Sequence, residues 1–104
     1  MAEPRWRIRP AARADLAAIW RYGTETWGEA QADAYADSLF ALFDLLADVP
    51  ELARERPEFT PPVRIHPTGA HLVIYRLEQG RPDILRILHA RQDLMAYLSE
   101  QTRT

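Results

Sequence analysis

The sequence predicts an α+β fold: a short N-terminal strand and an αα-hairpin packed on a small, mainly antiparallel sheet, with a short C-terminal helix. Three observations predict it. Residues 11–26 and 29–49 carry apolar side chains at helical spacing, and Gly28 separates them. Three β-rich segments follow between positions 63 and 89, broken at Thr68-Gly69 and Gln79-Gly80 in the manner of an antiparallel meander. The 104 residues are enough for one hydrophobic core, so a single domain over 1–104 is expected.

Residues 5–9 (Arg-Trp-Arg-Ile-Arg) alternate, setting Trp6 and Ile8 against three arginines, and read as a short strand that Pro10 ends. In the first helix Leu16, Ile19, Trp20 and Gly23 recur at i, i+3, i+4, i+7. In the second, Tyr35, Leu39, Leu42, Phe43, Leu46 and Val49 form one apolar stripe, and Asp33, Asp37, Asp44 and Asp48 fall mainly outside it. The alanines at 30, 32, 34 and 36 favour helix and let a neighbour approach closely. Residues 50–62, with four prolines, read as a loop or an irregular short helix.

Strands are expected at 63–67, 70–78 and 83–89. Simple alternation sets His71, Val73, Tyr75 and Leu77 against Leu72, Ile74 and Arg76, and Leu85 and Ile87 against Ile84 and Leu88. Strands that are apolar on both faces are covered, at least in part, on both. The helical hairpin covers one face; the C-terminal segment, a partner chain or both must cover the other. Leu94, Tyr97 and Leu98 mark a short helix over 92–100.

Composition removes several classes. No cysteine is present, which excludes a disulfide scaffold, a thiol nucleophile and a zinc finger. All 13 basic residues are arginine, so no lysine can act as a base or a Schiff-base amine. No apolar run approaches the length of a membrane span, and Arg5, Arg7 and Arg9 are followed by no apolar stretch of a signal peptide. A soluble cytoplasmic protein, with no membrane contact, is the expectation. The net charge of −2 argues against bulk nucleic-acid binding. Residues 1–60 hold seven arginines and 11 acids, whereas residues 61–104 hold six arginines, four acids and all three histidines. Any acid-facing surface is therefore expected in the second half.

Four chemistries can be weighed. A serine hydrolase lacks a nucleophile, because Ser38 lies mid-helix without a glycine-rich elbow and Ser99 lies near the end. A metal site has no specific spacing among His66, His71 and His89, so neither metal nor cofactor is expected. A general acid–base ribonuclease could draw on Arg64, His66, Arg76, Arg86, His89, Arg91 and Tyr97, but these are ingredients without a pattern. A partner-binding face could use Val73, Tyr75, Leu85 and Ile87 for apolar contact, with Arg76, Arg86 and Arg91 for charge complementarity. The periodicity alone leaves a partner and the C-terminal helix as equal candidates to cover that face.

Several segments, taken in order, carry a resemblance. They are Pro10-Ala11, Asp15-Leu16 and Ile19-Trp20-Arg21-Tyr22; then Trp27-Gly28, Gln31-Ala32 and Tyr35; then Arg64, Pro67, Gly69, His71 and Tyr75-Arg76; and finally Ile84 to Asp93, which ends Leu-His-x-Arg-x-Asp. From about Arg7 to Leu98 the chain resembles the ParE toxins of type II toxin–antitoxin modules, within the RelE/ParE superfamily. The resemblance implies a helical hairpin on a small sheet, in agreement with the periodicity. It also implies a toxin that inhibits DNA gyrase by protein contact, without catalytic residues of its own. Its partner would be a ParD-like antitoxin, whose C-terminal segment neutralises the toxin and supplies cover for the second sheet face.

On this reading Val73, Tyr75, Arg76, Arg86, Ile87 and Arg91 are the candidates for antitoxin binding. Arg64, His71, His89 and Asp93 are family-motif candidates for contact with the target. His71, Trp20 and Asp15 are expected to act mainly in the structure. RelE-like relatives cleave mRNA in the ribosome and supply an alternative built on Arg64, Arg86 and His89. The missing lysines and the negative net charge count against it. A further alternative is an inactive toxin retained as a binding module.

Overall fold

Pro10 sets the first boundary of the fold. Its fixed φ and missing N–H suit the first position of a helix. In the computed structural model, which describes residues 4–90 and 96–97, Arg9 is still extended (φ −72°, ψ 155°) and α1 runs over Pro10–Trp27. Before it, β1 is reduced to Arg7–Ile8. Gly28, at φ 101°, makes the turn into α2 (Glu29–Asp48), and its N–H caps the carbonyls of Gly23 and Thr24. A Cβ at Gly23 would stand 3.1 Å from the Ala32 Cβ, so glycine and alanine let the two helices touch.

Three strands follow: β3 (Val63–Thr68), β4 (His71–Glu78) and β5 (Arg81–His89). The loop expected before them holds a further two-residue strand, β2 (Glu55–Arg56), paired antiparallel with β3. Two residues leave too little pattern to betray a strand. The sheet order is β1-β5-β4-β3-β2, antiparallel except that β1 lies parallel to β5. Of the helix expected over 92–100, Ala96 and Tyr97 fall among the described residues and are helical; the rest of that expectation lies outside them. Among the described residues no helix is long and apolar enough to cross a membrane.

The register breaks once. Ile74 faces Arg86 and Tyr75 faces Ile84, so Leu85 is an extra residue on β5. A bulge of this kind resets the alternation. Ile84 and Ile87, three apart, consequently pack together against the helices, where simple alternation had set them on opposite faces.

Two cores result. Between the helices and the sheet lie Leu39, Phe43 and Leu46 of α2 with Val73, Tyr75, Ile84 and Ile87. Ile74 and Leu88 pack on the other side of the sheet with Phe59, Val63 and Tyr97, and half-buried Ile65 and Leu85 border them.

Candidate functional site

The face of the sheet turned away from the helices is the first candidate. Leu72, Ile74 and Arg76 share it by alternation along β4, and Ile65 and Arg86 are the register partners of Ile74. Phe59 and Tyr97 lie over part of it, their rings 6.1 Å apart. Ile74 and Leu88 are sealed, whereas Ile65 and Leu85 keep access to solvent. Arginines edge it. Arg7 is exposed opposite Asp83, Arg76 lies 3.8 Å from Glu78, and the half-exposed Arg9 clamps the fully buried Asp83 through Nε at 2.9 and 3.1 Å. Fully burying a carboxylate is tolerated here because the guanidinium pairs with it.

Arg86 belongs to a second clasp. Its Nε and Nη2 donate to the two oxygens of Asp15 in α1 at 2.7 and 3.0 Å, and the Ile87 N–H donates to the same carboxylate at 2.9 Å. Asp15 thereby continues the edge pairing of β5 beyond the point where β1 ends.

The candidates of the sequence reading separate accordingly. Val73, Tyr75 and Ile87 are buried at 0%, 0% and 3% exposure on the helix side and present no surface to a partner, a correction to their expected role. The physical reason is parity: β4 turns its odd-numbered side chains toward α2, and the bulge brings Ile87 to join them. Tyr75 also secures the loop, donating its hydroxyl to the Pro50 carbonyl at 2.9 Å. Arg76 shares the helix-free face by alternation, and Arg86 starts from that face as the partner of Ile74 but turns its guanidinium to Asp15 of α1. Arg91 and Asp93 lie outside the described residues. Ile65 was missed; its signal was alternation within 63–67, which puts it opposite Ile74 once the strands are paired.

His71 and His89 come together. They are direct partners across β4 and β5, with rings 5.6 Å apart and nearly perpendicular. Tyr35 of α2 reaches them: its hydroxyl oxygen is 2.7 Å from His71 Nδ1 and 3.3 Å from the Thr68 carbonyl oxygen. Burial raises the Tyr35 pKa above its ordinary 10.0, keeping the phenol protonated. This approach depends on Gly69, at φ +56°, where a Cβ would sit 2.8 Å from the Tyr35 oxygen. The group forms the floor of a cleft of about 600 Å³, walled by Ile19, Tyr22 and Trp27 of α1. Among the described residues no cluster of three metal-ligating side chains occurs.

Arg64, Arg86 and His89 do not converge. Arg64 donates to the Ala53 carbonyl at 2.7 Å beside Tyr75, Arg86 is clasped by Asp15, and His89 lies by His71 in the cleft. That spread gives the three no common point at which a phosphodiester could react.

Comparison with known proteins agrees with this architecture. The family model described as ParE toxin of type II toxin-antitoxin system, parDE, matches residues 6–94. Toxin ParE1 of Mycobacterium tuberculosis is 35% identical over 91 residues, covering 86% of this chain and 93% of its own. Toxin ParE1 of Caulobacter vibrioides is 33% identical over 93 residues, 89% of this chain and 96% of its own. Toxin ParE of Escherichia coli is 32% identical over 93 residues, 88% and 90% of the two chains. A solved chain of the chromosomal ParDE TA system from P. aeruginosa shares the fold, with a TM-score of 0.68 at 23% identity over 81% of this chain and 92% of that one.

Proposed function

Because the chain belongs to the ParE toxin family of type II toxin–antitoxin systems, we propose that it acts by protein contact on DNA gyrase and is neutralised by a ParD-like antitoxin laid across the helix-free sheet face. One observation carries the antitoxin part. Ile65 and Leu85 remain accessible beside sealed Ile74 and Leu88, along a border that includes Arg7, Arg76 and Arg86. An acidic amphipathic segment suits that combination, with its apolar side on the isoleucine and leucine and its carboxylates toward the arginines. In this proposal Arg76 and Arg86 supply the charge and Leu85 the apolar contact, as the sequence reading expects, and Ile65 takes the place of Val73, Tyr75 and Ile87.

The gyrase part rests on family membership and on the separation of Arg64, Arg86 and His89, which favours contact over phosphodiester cleavage by those residues. A supercoiling assay with purified gyrase tests it. Inhibition that the antitoxin relieves is the expected result. Full supercoiling at saturating protein, with codon-aligned cuts in translated mRNA, would replace gyrase by the ribosome as the site of action.

A further inference from the structure

The cleft above His71 and His89 is separate from the helix-free sheet face, and of its lining the family reading singles out only these two histidines, as candidates for contact with the target. It lies where the C-terminal end of α1 and the start of α2 overhang the ends of β4 and β5. Tyr22 and Trp27 wall it with rings 5.7 Å apart at 85°, and they are 61% and 55% exposed. Two large aromatic rings side by side and this exposed cost solvation free energy unless something covers them.

The surrounding charge is mainly negative. Residues 18–35, which supply most of the cleft wall, hold Glu25, Glu29 and Asp33 against the single Arg21. Among the described residues no arginine lines the cleft. Among the described lining residues, a phosphate or carboxylate guest would meet no basic side chain except the two imidazoles. A cation over a tyrosine or tryptophan face is attracted by the ring, and a planar guanidinium also stacks on it.

We propose that this cleft seats an arginine side chain from a basic segment of a partner protein. The guanidinium lies against the cleft-facing side of the edge-to-face pair formed by Tyr22 and Trp27, and its aliphatic stem covers Ile19. The imidazole pair forms the floor, positioned by Tyr35, and the carboxylates at the helix ends attract the rest of the basic segment. This site stands whichever chain occupies the sheet face.

NMR titration of the full chain tests it, using blocked tripeptides with a central arginine, leucine or glutamate. The arginine peptide should shift the Trp27 indole resonance saturably, with the leucine and glutamate peptides weaker by roughly tenfold. Tyr22→Ala and Trp27→Ala should each weaken the arginine peptide severalfold. Both residues are exposed, so unchanged melting temperatures are expected and will separate lost binding from lost fold. Equal response to leucine would make the cleft a plain apolar groove. A stronger response to glutamate would make it an anion site through the histidines. No saturable shift with any peptide would remove the proposal.

Discussion

Asp15 and Arg86 are joined by a two-pronged ion pair at 2.7 and 3.0 Å, and the same carboxylate takes the Ile87 amide at 2.9 Å. One side chain thus ties α1 to β5 and satisfies a strand edge that β1 does not reach. Asp15→Ala removes all three bonds and leaves a backbone donor to find water. It should lower unfolding stability by about 2 kcal/mol, read by urea denaturation. Asp15→Asn, which can still accept from Ile87, should cost less than half of that. Equal losses for the two variants would contradict this division of labour.

Arg86→Glu sets a carboxylate against Asp15 and should destabilise the fold at least as much as Asp15→Ala. A drop in antitoxin affinity for that variant therefore has to be read beside its melting curve. Arg76→Ala is the cleaner probe of the arginine edge, because the ion pair of Arg76 with Glu78 is loose at 3.8 Å and alanine sets no new carboxylate opposite its register partner Asp83.

Gly69 and Tyr35 form a steric pair. Gly69→Ala meets both a positive φ and the Tyr35 hydroxyl at 2.8 Å, and should cost about 2 kcal/mol or more. In a Tyr35→Ala background the clash disappears and only the φ penalty remains, about 1 kcal/mol. A double-mutant cycle measures the difference. A coupling near zero would mean that the turn moves aside freely.

Buried Tyr75 and half-buried Tyr35 set an alkaline limit. Burial raises the pKa values of Tyr35 and Tyr75 above 10.0. Above pH 10 the unfolded chain loses these protons before the folded one does, so the stabilising contribution is complete below pH 10 and declines as pH rises through the folded values. The double variant Tyr35→Phe, Tyr75→Phe should show a flatter decline between pH 10 and 12 than the parent. Parallel curves would place the alkaline sensitivity outside these two phenols.

The elements were legible in the sequence because their signals are periodic and local. The stripe through Leu39, Phe43 and Leu46 could only be a buried helix face, and Gly28 could only be a break between helices. Which face each strand residue takes was not legible beyond the bulge. Leu85 looks like any other member of an alternating run, and the inserted residue declares itself only in the pairing of Ile74 with Arg86 and of Tyr75 with Ile84. The bulge hides the face of Ile87, whereas for Val73 and Tyr75 alternation separates the two faces of β4 without saying which one the helices cover; all three build the core. The motif residues present the opposite case. Asp15 with Arg86, and Tyr35 with Gly69 and His71, stand far apart in sequence, and the fold brings each set into one clasp. Spacing alone could not reveal that they meet, nor that Tyr22 and Trp27 share a cleft with His71 and His89.

The central claim is that the helix-free face, at Ile65 and Leu85, receives the antitoxin. Methyl NMR of the toxin, free and bound to a ParD-like antitoxin, tests it most directly. The account predicts that the Ile65 and Leu85 methyls shift and become shielded from a soluble paramagnetic probe, while core Val73 and Ile87 change little. Bound spectra in which Ile65 and Leu85 stay accessible to the probe would contradict it.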